Sequence, residues 1–153
     1  RQDLINAFLP ALKLSGNATA GQAIYLERCA SCHRLGAQGQ AIGPDLATVK
    51  AGGKEKVLVN ILDPNREVAP NYLNYTIDTK DGESLNGIIG NETAASVTLR
   101  QASVSDTTVL RANIVRMEST GKSLMPEGLE AGLNSQAMAD LLEFIIPPTV
   151  GSK

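Results

Sequence analysis

At 153 residues with a formal net charge of −2 and 42% apolar content, the chain is the size of one domain and can build a core of its own. No cluster of Lys and Arg marks a nucleic-acid footprint. No apolar run approaches the ~18 residues of a membrane span, and the N-terminus shows no charged-then-apolar leader ending in a small-residue cleavage site, so the sequence reads as a mature protein or as a piece of a larger one.

Leu4, Phe8 and Leu12, with Ile5 and Leu9 beside them, form the stripe of an amphipathic helix over residues 3–14 that Pro10 should kink or shorten. After Ser15-Gly16-Asn17, residues 19–30 read as a second helix capped by Asn17 or Thr19. It runs into Cys29-Ala30-Ser31-Cys32-His33, and a Gly-rich loop follows to Pro44. Val57, Leu58, Ile61 and Leu62 make residues 54–62 a third helix, stopped at Asp63-Pro64. From Tyr72 the period becomes alternating, and four short strands are expected at about 72–79, 84–89, 96–101 and 107–111. Lys80-Asp81-Gly82 supplies the first turn, and the polar run 103–106 separates the last two strands. Residues 135–146, with Asn134 or Ser135 as cap and Met138, Leu141, Leu142 and Ile145 inward, form the final helix before Pro147-Pro148.

The chain has two cysteines and one histidine, and all three fall within Cys29–His33. Cys-x-x-Cys-His is the spacing of covalent haem attachment: two thiols one helical turn apart can each add to a vinyl group while the next imidazole reaches the iron. A redox dithiol would open a helix after a buried strand, whereas this motif closes a helix. A structural zinc needs four ligands and the chain offers three contiguous ones. A simple disulfide leaves the histidine unexplained. With no Trp and only two Phe and three Tyr, a buried haem would also fill a core short of aromatic rings.

Beyond the motif, the sequence resembles the class I cytochrome c family. Gly21-x-x-x-Tyr25 and Leu141-Leu142-Glu143-Phe144-Ile145 are similar to that family's crossing helices. Gly43-Pro44-Asp45-Leu46 resembles the loop whose proline carbonyl holds the axial histidine, and Ser123-Leu124-Met125-Pro126 resembles the loop supplying an axial methionine. In ordinary small members the methionine follows the histidine at about half the distance seen here, so a β-module looks inserted between the third helix and the methionine loop. That arrangement is similar to a haem-binding domain at the C-terminal end of large bacterial proteins whose earlier part resembles dehydrogenase propellers.

The resemblance implies a mainly α fold with a β insertion: a cytochrome c helical fold around one haem over residues 1–153. Residues 15–71 and 118–147 form its helical haem-binding part, and residues 72–117 the four-stranded antiparallel module. One covalent haem c is held by Cys29 and Cys32. His33 and Met125 are the metal ligands, Pro44 supports His33, and Met117 is the alternative methionine. Arg66, Asn71, Tyr72 and Tyr75 are candidates for the haem propionates or for a solvated surface.

The implied function is electron transfer without catalysis, between a redox partner protein or fused dehydrogenase domain and a downstream acceptor. The alternative is a gas-binding sensor or peroxidase-like haem with an open or displaceable sixth position, although the only histidine is already used. Because covalent haem attachment takes place outside the cytoplasm, the periplasm or cell envelope is the expected location. Thioether attachment predicts that the chromophore stays with the denatured polypeptide in acidified organic solvent; its extraction would refute the assignment of Cys29 and Cys32.

Overall fold

The structure is a computed structural model and describes residues 1–102 and 104–148. Ser103, the first residue of the polar run expected between the last two strands, lies outside the described residues. The chain forms two compact units: Arg1–Arg66 together with the chain from Glu127 onward, and Glu67–Pro126.

The first unit is helical. Helix α1 spans Gln2–Phe8 and tightens at Pro10 into a 3-10 segment, Leu9–Lys13, which is where the missing proline N–H should interrupt an α-helix. Helix α2, Ala18–Arg28, is capped by Asn17, whose side chain accepts the Ala20 N–H at 3.1 Å. A 3-10 segment at Leu46–Gly52, which carries no periodic signal, leads into α3, Gly53–Leu62. Helix α4, Ser135–Ile145, is capped by Asn134 through the Ala137 N–H. Buried side chains of α3 (Leu58, Leu62) and α4 (Met138, Leu141, Leu142, Ile145) make the core with Ile5, Phe8 and Tyr25.

The crossing of α2 over α4 positions the functional site. A Cβ on Gly21 would fall on the backbone carbonyl of Asp140 and 2.9 Å from Phe144 Cβ, so only glycine lets the two backbones approach this closely. One turn further on, the Tyr25 and Phe144 rings pack at 5.3 Å with a 43° tilt. Asp140 ties the same crossing by accepting the Asn17 N–H at 2.8 Å and an N–H of Gln136 at 2.9 Å.

The second unit is a five-stranded antiparallel sheet of order β4-β3-β2-β1-β5, where four strands were expected from the sequence. Strands β1 (Leu73–Thr79), β3 (Ser96–Arg100) and β4 (Thr107–Leu110) match the predicted runs in place, whereas β2 (Ser84–Glu92) runs past its expected end at residue 89 through Gly90-Asn91-Glu92, where Asn91 and Glu92 pair with β3. The added strand is β5, Ile114–Ser123, which pairs with β1 and covers residues 118–123 that the sequence had suggested for the helical part. Its alternation is hidden by a bulge. Ile114 pairs with Thr79, Arg116 with Asp78 and Met117 with Ile77, so the two inward residues, Ile114 and Met117, stand three apart instead of two.

Strands β4 and β5 lie at opposite edges of the sheet, yet only the 3-10 segment Arg111–Asn113 joins them. Across a flat sheet that distance would be about 19 Å, and a link this short spans roughly 10 Å. The sheet must therefore curl, and it wraps a core of Ile77, Val97, Leu99 and Val109 with Leu85, Ile89, Ile114 and Met117 packed against it.

Replacing Gly21→Ala should cost about 2–3 kcal/mol through overpacking at the crossing, or roughly 5–10 °C in melting temperature. A calorimetric scan that leaves the melting temperature unmoved would remove the crossing from the account of stability.

Candidate haem-attachment site

Helix α2 ends at Cys29, whose N–H donates to the Tyr25 carbonyl at 2.8 Å. The chain then keeps turning: Cys32 and His33 both donate to the Cys29 carbonyl, at 3.1 and 2.9 Å. That turn gathers both thiols and the imidazole at the end of α2. Cys29 and Cys32 are half-buried free thiols. Burial pushes the Cys29 thiol up to about 11, opposed by the neighbouring Arg28 and reinforced by Cys32, so it stays protonated at neutral pH.

The following loop zips back onto this turn. Gln40 N–H donates to the Ala30 carbonyl, Ile42 and Gly43 N–H both donate to the Cys32 carbonyl at 3.0 and 2.6 Å, and Leu46 N–H donates to the Arg34 carbonyl. From the other side the Tyr25 hydroxyl lies 2.7 Å from the His33 carbonyl and 3.1 Å from that of Gln38. Both neighbours only accept, so Tyr25 must donate. Burial raises its pKa and keeps that proton in place, and Cys29 would add to this only once its thiol ionised. Gly39, at φ +91°, completes the contact, since a Cβ there would collide with the His33 carbonyl and the Tyr25 hydroxyl.

His33 Nδ1 sits 2.7 Å from the Pro44 carbonyl. A carbonyl only accepts, so the proton resides on Nδ1 and the lone pair on Nε2. Burial lowers the imidazole pKa, with the Pro44 bond opposing, and the ring is held neutral. Among the described residues Nε2 has no hydrogen-bond partner. A Cβ on Gly43 would stand 2.7 Å from His33 Cε1 and 3.2 Å from Nε2, so glycine keeps the imidazole face clear.

This is the donor set that a covalent haem requires: two free thiols at fixed spacing and a neutral imidazole with an unengaged Nε2. Among the described residues no group of three or more His, Cys, Asp or Glu side chains could hold a metal ion, so a structural zinc finds no ligand set.

The cytochrome c family profile matches residues 18–146 of the chain. The chain belongs to the cytochrome c family. No curated protein matches it. This cytochrome carries covalently bound haem c, with Cys29 and Cys32 at the attachment spacing, and its family chemistry is haem-based electron transfer. Members are typically electron carriers, and the match runs from α2 through the sheet-bearing segment to α4.

Cys29, Cys32, His33 and Pro44 all belong to the helical unit, whereas Met125 belongs to the sheet unit. Met125 is half-buried in the bend after β5, and its N–H donates to Ser123 Oγ at 3.0 Å. Met117 packs into the β core and Met138 into the helical core. Arg66 is engaged by Asp63 and Gln2; Asn71 is exposed, and Tyr72 and Tyr75 are half-buried in the sheet unit.

Sequence reasoning missed the polar roles of Tyr25 and of Arg28, whose Nη1 donates to the carbonyls of Leu129 at 2.8 Å and Ala131 at 2.6 Å. Tyr25 was legible only as an aromatic at a helix crossing, and Arg28 carried no signal beyond a basic residue in the last turn. The Gly43→Ala variant should lose about 1–3 kcal/mol by overpacking and raise the reduction potential, because a displaced imidazole loses its Pro44 acceptor and becomes a weaker donor to ferric iron. Thermal melts and a potentiometric titration check both; an unchanged potential would show that Gly43 does not hold the ring.

Proposed function

We propose that the protein is a one-electron carrier with His33 and Met125 as axial ligands, passing electrons from a dehydrogenase, separate or fused, to a downstream acceptor outside the cytoplasm. The observation that carries this reading is the His33 imidazole, pinned through Nδ1, whose Nε2 has no hydrogen-bond partner among the described residues. Bound haem supplies the redox-active iron, and a thioether in the sixth position favours the ferrous state and raises the potential. The chain's own residues orient the imidazole and keep it neutral.

Support for Met125 comes from its setting. It stands before Pro126, outside any helical stripe, with its backbone N–H tied to Ser123 Oγ. The other two methionines are accounted for by packing: Met117 against Ile77 and its neighbours, Met138 fully buried in α4. The periplasm or cell envelope follows from where haem is attached to cysteines, and a fused dehydrogenase from the resemblance to propeller-linked haem domains.

Replacing Met125→Ala should remove the weak red-end sulfur-to-iron band of the ferric protein and let carbon monoxide bind the ferrous form readily. It should also lower the potential on the order of 0.1 V, a fraction of the ~0.8 V that axial ligands span. Met117→Leu should leave the spectrum unchanged. If the unaltered protein lacks the band and binds carbon monoxide as fast as Met125→Ala, the sixth position is open and a gas-binding role replaces electron transfer.

A further inference from the structure

His33 is held at three points, all within the helical unit. Its N–H donates to the Cys29 carbonyl at 2.9 Å, its Nδ1 donates to the Pro44 carbonyl at 2.7 Å, and its own carbonyl accepts the Tyr25 hydroxyl at 2.7 Å. The first two holds come from the attachment turn and its loop, whereas the third comes from a fully buried side chain of α2. The same hydroxyl lies 3.1 Å from the Gln38 carbonyl, which also accepts the Leu35 N–H at 2.9 Å. One phenolic proton is thus shared between the two ends of the turn 33–38. That turn needs a tie, because Gly36 and Gly39 both stand at positive φ, +62° and +91°, and glycine carries the largest backbone freedom. The Pro44 acceptor lies 11 residues beyond His33, so the path through these glycines decides how the acceptor meets the ring.

We infer that Tyr25 is a positioning residue for the axial imidazole: through the His33 and Gln38 carbonyls its hydroxyl holds the turn that keeps Nδ1 on Pro44, and so helps to set the reduction potential. This rests on the reading of His33 as a ligand of the iron and makes no use of Met125. The donor strength of an imidazole follows the hydrogen bond at its other nitrogen. A backbone that lets His33 swing away from Pro44 therefore makes Nε2 a weaker ligand for ferric iron, and the potential rises. The packing of α2 on α4 uses the Tyr25 ring, which lies against Phe144; the hydroxyl adds the polar hold. Without it the His33 carbonyl loses its donor, and the turn is free to rearrange toward water.

The test compares the haem-loaded full chain with its Tyr25→Phe and Lys54→Ala variants. Tyr25→Phe keeps the ring against Phe144 and removes the donor, whereas Lys54→Ala breaks the 2.6 Å ion pair with Glu143 between α3 and α4 and serves as the control for simple destabilisation. The readouts are the reduction potential and the rate at which the His33 Nδ1 proton exchanges with solvent, followed by NMR in the diamagnetic carbon monoxide complex of the ferrous protein. Tyr25→Phe should raise the potential and speed the exchange about tenfold, the factor that loss of one hydrogen bond supplies. Lys54→Ala should match the unaltered chain in both. A potential or an exchange rate left unmoved by Tyr25→Phe, or moved equally by Lys54→Ala, overturns the positioning role while leaving His33 as ligand. Should Tyr25→Phe fail to accumulate, the unaltered protein decides: the Tyr25 hydroxyl and His33 Nδ1 protons should show equal protection, as one shared opening requires, and unequal protection overturns the role. His33 ring-proton resonances at ordinary imidazole positions, undisplaced by the ring current of the haem, overturn the ligand reading, and the inference with it.

Discussion

The hydrogen bond from His33 Nδ1 to the Pro44 carbonyl is the constraint on which the helical unit turns. It sets the tautomer and the ring direction of the only imidazole, and each neighbouring feature keeps its two ends in place. Gly43 lets the acceptor strand lie against the ring, the shared Cys32 carbonyl anchors Ile42 and Gly43, and Tyr25 holds the His33 carbonyl from beneath. Tyr25 is itself fixed by tilted packing against Phe144, which the Gly21 contact permits. A chain of close approaches thus runs from a helix crossing to one nitrogen lone pair.

How much of this was legible follows the range of the interactions. The attachment motif is local: its residues act at fixed sequence offsets, and Cys29, Cys32 and His33 could be named without a fold. Helix caps are local too, and Asn17 and Asn134 perform as their side chains allow. The fifth strand was hidden because a bulge displaces Met117 by one residue from the alternating register of Ile114. Arg28 was hidden because its acceptors are carbonyls a hundred residues away in sequence, which no side-chain pattern encodes.

The two units obey different packing rules. The helical unit depends on glycines that allow close approaches, so its tolerance for substitution is lowest at Gly16, Gly21, Gly39 and Gly43. The sheet unit depends on a small aliphatic cluster closed by curling, where volume-conserving changes are absorbed more readily.

In the sheet unit, Leu73 and Ser123 are cross-strand partners, the first residue of β1 opposite the last of β5. The chain therefore enters and leaves the sheet at neighbouring points, about 5 Å apart. A folded piece with adjoining ends can be grafted into a loop of a host without prying that loop open, and closing it costs no more than closing a short turn. Seen this way, a cytochrome could acquire or shed some fifty residues at this seam while the parts that grip the imidazole stay as they were.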